Sequence, residues 1–329
     1  MANATENPGL LAALVADGRP LLKLTALALI ASGLFAFFLA ATGNFLPHDI
    51  AYLGMTVDEL HSIADSRLVH FMMHDRVSFG GAILGVGVLY LWLTEFPLAS
   101  GQPWAWWTLL VSGVVGFLSF LAYLGYGYLD TWHGIATLVL LPIFMAGLQV
   151  AWARMQTLPP IAVLLQGTWP RPARSALDAG RLLLLTTSAC LVLGGLIILC
   201  VGVTTVFVPQ DLEYMHVSPA ELSSANPRLV PLIAHDRAGF GGGVACCGLT
   251  MFFCVLHGAP SRALWEAILI TGLAGFGSAI GVHFPIGYTS LTHLAPAYLG
   301  AVMFISGMAL AMPGMTRPAG SPELLRRAC

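Results

Sequence analysis

Eight uncharged, mostly apolar runs dominate this chain: Leu24–Thr42, Val77–Leu93, Trp104–Leu129, Thr131–Ala153, Leu182–Pro209, Ala238–Leu256, Ala267–Gly287 and Tyr288–Thr316. A membrane-spanning helix needs roughly 20 apolar residues, with a range of about 17–25. Some runs have polar ends, so each helix is expected to be shorter than its run. The fold class that follows is all-α: a polytopic membrane protein of about eight transmembrane helices in two groups of four. Charged residues make up only 9% of the chain, against about 25% in a soluble domain. A net charge of −2, with no basic stripe and no phosphate-cradling glycine motif, speaks against a nucleic-acid partner. The lipid bilayer is the expected partner.

The basic residues set the expected orientation. Arg19, Lys23, Arg154, Arg171, Arg174, Arg181, Arg262, Arg317, Arg326 and Arg327 fall on one side of the eight-span arrangement. Only Arg67, Arg76, Arg228 and Arg237 fall on the other. The positive-inside rule makes the first side cytoplasmic, in an inner (plasma) membrane with both termini inside. Five segments follow: a cytoplasmic N-terminal stretch 1–23, a first four-helix repeat 24–154, a Pro-rich cytoplasmic linker 155–180, a second repeat 181–316 and a cytoplasmic tail 317–329. The first run is preceded by Arg19 and Lys23, as in a signal peptide. Its counterpart Leu182–Pro209 lies mid-chain, so the first run reads as a retained helix.

The two halves match in detail. His74-Asp75-Arg76…Phe79-Gly80-Gly81 answers His235-Asp236-Arg237…Phe240-Gly241-Gly242. Phe45-x-Pro47-x-Asp49 answers Phe207-x-Pro209-x-Asp211, and Arg67-Leu68-Val69 answers Arg228-Leu229-Val230. Gly116-Phe117-x-Ser119 answers Gly275-Phe276-x-Ser278, and Gly127-Tyr128-x4-His133 answers Gly287-Tyr288-x4-His293. An even number of helices per half inserts both halves the same way up. Such repeats are parallel, related by an axis along the membrane normal, and point to gene duplication.

Ionisable residues inside membrane helices are costly and mark candidate sites. His74 and His133 sit at the outer ends of the second and fourth helices, and His235 and His293 do the same in the second half. Three readings stay open. In the first, Asp75 and Asp236 serve helix N-termini, Arg76 and Arg237 pair with acids such as Asp49 or Glu59, and the histidines hold helices together. Such a protein would be an accessory or scaffold subunit of a larger membrane complex. In the second, His74 with His133 and His235 with His293 ligate haem iron or another metal. Arg76 and Arg237 would then hold propionates, Asp75 and Asp236 would orient ligands from behind, and a membrane redox partner is expected. In the third, the clusters serve a transporter. The motif glycines suit close helix packing.

The remaining candidates carry less. His48 and His61 are expected to be solvated, His257 interfacial, and His216 and His283 lack counterparts. The six cysteines match no zinc framework and read as packing residues. Trp92, Trp104, Trp106, Trp107 and Trp132 read as an interfacial belt.

Two same-way-up four-helix halves, with a His on the second and fourth helix of each, resemble haem A synthase. The resemblance implies b-type haem held by His74 and His133, then His235 and His293. The chain departs from that family in three places. Asp75 and Asp236 separate His from Arg in the motif, Phe71 stands where the family has its catalytic acid, and the outer-loop cysteine pair is absent. The specific expectation is a haem- or metal-binding membrane redox protein.

Overall fold

The computed structural model describes residues 9–121, 125, 128, 131–155, 159–168 and 175–316; the side chains of Leu11, Phe120, Trp132 and His133 lie outside it. The expected tail, much of the expected linker and Gly127 fall outside the described residues too. Among the described residues all regular structure is helical. Eight long helices follow in order: α1 Arg19–Thr42, α2 Arg67–Glu95, α3 Pro103–Phe120, α4 Thr131–Arg154, α5 Ala176–Val203, α6 Leu229–His257, α7 Arg262–Gly281 and α8 Leu291–Thr316. Seven are long and apolar enough to cross a bilayer, and α3 is a shorter apolar helix. The protein is an all-α polytopic membrane protein.

Between α1 and α2 lie two short helices, Pro47–Leu53 and Val57–Ser62, and between α5 and α6 lie their counterparts, Pro209–Met215 and Pro219–Ala225. Pro47, Pro209 and Pro219 occupy first-turn positions, where the missing N–H removes no helical bond. Thr56 with Glu59, and Ser218 with Glu221, close reciprocal capping boxes, each satisfying two orphan backbone donors.

The helices begin earlier than the apolar runs suggest. α2 starts at Arg67 and α6 at Leu229, not at Val77 and Ala238. Both His-Asp-Arg triplets therefore lie inside their helices instead of opening them. Their charges are met by partners from the other half, so no exposure to water is needed.

In α2 and α6, 72% of the most apolar stretch is buried inside the protein, against 17–28% in the other spans. They are the central pair and pack on each other. Each also packs on the first helix of its own half, α2 on α1 and α6 on α5. The third helices cross over: α7 packs on α2, and α3 packs on α6. The fourth helices close the ring, α4 against α1 and α8 against α5. The motif glycines make these approaches possible. A Cβ at Gly81 would collide with Ser278 Oγ and the Ala274 carbonyl of α7, and one at Gly242 with Ser119 of α3. The serines are those of the paired Gly-Phe-x-Ser segments.

Two hydrophobic clusters result. One lies toward the linker side and includes Leu89, Trp104 and Leu256. The other lies under the short helices on the motif side, around Phe71, Leu60, Leu222 and Tyr288. Trp92, Trp104 and Trp106 are buried in the first cluster, so these three are helix-packing residues and no interfacial belt. Trp106 Nε1 donates to the Leu148 carbonyl at 2.8 Å, and Trp107 Nε1 to that of Pro159 at 2.9 Å.

Candidate metal centre

The crossover of the third helices decides which histidines meet. α7 runs up beside α2 and ends in a short helix, His283–Ile286. The chain then turns at Gly287, whose φ of +74° favours glycine, and enters α8. Three histidines from three elements converge: His74 of α2, His283 after α7 and His293 in the first turn of α8. Their ring centroids lie 4.4 Å (His74–His283), 5.9 Å (His74–His293) and 5.3 Å (His283–His293) apart. One ligand nitrogen from each can be chosen so that all three lie within 4.8 Å of one another.

This differs from the pairing expected within each half. His293 faces His74 of the other half instead of His235, because α7 carries the following loop and α8 to the far side of the central pair. His235 has the ring of Tyr128 5.1 Å away. The side chain of His133 lies outside the described residues. His283 has no histidine counterpart in the first half. Its signal was its depth, level with the ends of the motif helices, and not the repeat.

Hydrogen bonds fix the tautomer of His293. Tyr288 stacks on its ring at 4.4 Å, and Tyr288 Oη lies 3.1 Å from His293 Nδ1 and 2.8 Å from Asp211 Oδ1. Burial, and then the Asp211 carboxylate, push the Tyr288 phenol well above its ordinary range. It therefore keeps its proton and donates it to Asp211. Asp211 also accepts from Arg237 and from the Val208 N–H. With the phenol proton committed, His293 Nδ1–H donates to the phenol oxygen and the Nε2 lone pair stays open. A carboxylate reaching a ligating imidazole through hydrogen bonds is the usual support for a metal-binding histidine. Tyr214 stacks on Tyr288 at 4.6 Å and donates to the Ile286 carbonyl at 2.9 Å, fixing the phenol in turn.

The other two imidazoles are short of partners. His283 is only 3% exposed, and apart from a contact with the Ala279 backbone too distorted for a regular hydrogen bond, its ring nitrogens make none among the described residues. His74 Nδ1 lies 3.2 Å from Asp75 Oδ1, in ion-pair range but without hydrogen-bond geometry.

Behind the histidines runs a charge network that joins the halves twice. Arg237 Nε lies 3.3 Å from Asp75 Oδ2, and Arg237 also pairs with Asp211 and donates to the Val206 carbonyl. Its mirror image is Arg76, 3.0 Å from Asp236 and 2.9 Å from Asp49, with Tyr128 donating to Asp49 at 2.5 Å. Each motif Asp thus binds the motif Arg of the opposite half. Both guanidiniums are engaged by carboxylates of the chain itself, which takes from them the propionate role expected under the haem reading. They lie over Phe45 and Phe71 at 5.0 and 4.9 Å. Of the two acids suggested for Arg76 by the sequence, Asp49 pairs with it, beside Asp236, while Glu59 closes a capping box.

The two ends of the network are not equivalent. Tyr128 and Tyr288 correspond, and five residues before them stand Tyr123 and His283. The second histidine of the cluster therefore exists in one half alone. His48, next to Asp49, has Gln210 as its counterpart, and its Nε2 lies 3.4 Å from Asp49 Oδ1. His61 bonds Ser66, and His257 contacts the Leu164 carbonyl at 2.9 Å.

Fold and site together define a membrane protein with a buried imidazole cluster at one end of its helical core. Comparison with protein-family models, with curated proteins and with solved structures finds no match. The functional argument therefore rests on the residues themselves.

Proposed function

We propose that the protein is a membrane metalloprotein that binds one first-row transition-metal ion through His74, His283 and His293. The observation that carries this reading is three ligand nitrogens from three elements within 4.8 Å of one another, with His283 buried among them. Imidazole suits zinc, copper, iron and nickel. Three protein ligands leave a coordination position open for a reactant, as catalytic sites do. Redox chemistry is the functional class if copper or iron is the ion retained. Histidines gathered this tightly suit a single ion better than a macrocycle, which needs its two axial ligands on opposite faces. The positive-inside argument places this end of the protein on the outer side of a plasma membrane, and duplication of a four-helix unit accounts for the mirrored charge network.

The test is metal analysis of detergent-purified protein, with absorption and EPR spectra. About one ion per chain is expected, falling to background in His283→Ala and His293→Ala without loss of the folded state. A metal-free protein that takes up neither zinc nor copper on dialysis would refute the proposal and favour a scaffold. A haem band at stoichiometric intensity would replace the single ion with the macrocycle.

A further inference from the structure

Directly below the histidine cluster lies a cavity of about 440 Å³, walled by α2, α5, α6, α7 and α8. That volume falls in the range of about 300–1,000 Å³ typical of small-molecule sites. His74, His283, His293, Asp75 and Arg237 stand at one end. From there the walls are almost wholly apolar. Along α6 the lining runs from Arg237 to Met251, and along α5 from Val201 to Thr187. Either stretch is about 21 Å long at 1.5 Å per helical residue. The space is therefore elongated along the membrane normal and longer than half of the roughly 30 Å hydrocarbon core.

The cavity also has a side opening. On the linker side α5 and α8 are in close contact: a Cβ at Gly180 would strike Gly307 and Ala311, and one at Gly314 would press on Leu177. Toward the motif side the same two helices part. Cys190, Ile197 and Pro296, on these two helices, line the cavity and are themselves exposed, and the cavity is not closed off there. That side faces lipid, so the mouth opens into the bilayer. Gly194 and Gly275 line the cavity as well, and a Cβ at either would meet nothing within 4 Å.

We propose that this cavity takes a lipid-soluble molecule with one long hydrocarbon tail, entering sideways from the bilayer between α5 and α8 with its polar head against the three histidines. The position of the head rests on the metal reading above; the tail site does not. A water-soluble solute would have to cross an apolar wall. A compact hydrophobic ligand would leave most of the length unfilled. A single tail matches length, lining and mouth together, and its head reaches the open coordination position.

The test uses full-length protein in detergent and a stearic acid carrying a mid-chain diazirine, with and without excess unlabelled stearate. Peptide mapping should find competable crosslinks on the segments 190–198 and 294–300. Gly194→Leu and Gly275→Leu fill open space, so they should keep the melting temperature and the metal content while cutting competable labelling about tenfold, as overfilling a packed site does. Unchanged labelling in both variants, or labelling spread evenly over the lipid-facing helices, would overturn the proposal. The two readings fail separately. Metal bound without competable labelling leaves the centre and removes the lipid site. Labelling without metal leaves the tail site and removes the centre.

Discussion

His74 and His293 belong to different halves of the chain, yet their imidazole rings lie 5.9 Å apart. Helix α7 brings them together by packing on α2 of the opposite half, so the loop that follows delivers both His283 and His293 to His74.

Tyr288 is expected to act through His293. Tyr288→Phe removes the acceptor for His293 Nδ1–H and the link to Asp211. Loss of such a support typically costs about 10–100-fold in metal affinity. Competition with a chromophoric chelator measures it. An affinity equal to wild type would show that the tautomer is fixed by something else.

Arg237 is 5% exposed and neutralises Asp75 and Asp211, which are buried deeper still. Removing one partner of a buried ionic group costs about 3–5 kcal/mol. Arg237→Ala should therefore unfold at a much lower detergent concentration, and Arg76→Ala should behave alike. A loss of the size seen for exposed pairs, about 0–1 kcal/mol, would contradict the buried network.

Close helix approach predicts a sharp contrast among glycines. Gly81→Val and Gly242→Val would drive side chains into α7 and α3, and both proteins should fail to reach a monodisperse state. Gly239→Ala and Gly277→Ala meet open space and should purify like wild type. Size-exclusion profiles decide the matter.

The short helix Pro219–Ala225 should loosen in acid. Hydrogen bonds from the Ser218 backbone and side chain hold the Glu221 carboxyl below its ordinary range. A depressed carboxyl stabilises the folded form above its unfolded pKa and loses that contribution as pH falls through its folded value. Hydrogen-exchange protection factors across 219–225, corrected for the intrinsic rate at each pH, should therefore fall below about pH 4.5, the ordinary Glu region, more in wild type than in Glu221→Gln. Parallel behaviour of the two would remove the carboxylate from the account.

Sidedness follows from Ser62 and Ser175, exposed at opposite ends of the helical bundle. Cysteines placed there should react with an impermeant maleimide from opposite sides of sealed vesicles, Ser62→Cys from outside. Reaction of both from the same side would contradict the arrangement of spans, and reaction of Ser62→Cys from inside would reverse the orientation.

By itself the sequence determined the all-helical membrane class, the two-fold repeat and the charged triplets that join the halves, but neither the helix starts nor the place of His283. Long uncharged runs have one stable place, and charged triplets inside them have few excuses. Asp49 and Glu59 were both legible as acids for Arg76, each with a matching acid in the other half, and only the structure chose Asp49. What the sequence could not decide was which half each helix would face. Apolar periodicity is weak in a helix surrounded by lipid or by other helices, so nothing in α3 or α7 announces the crossover. The meeting of His74 with His283 and His293, the exchange of Asp and Arg between halves and the cavity below them all depend on that crossover. Tertiary packing decided them, because Gly81 and Gly242 leave room for Ser278 of α7 and Ser119 of α3 and so let each of those helices lie against the central helix of the opposite half.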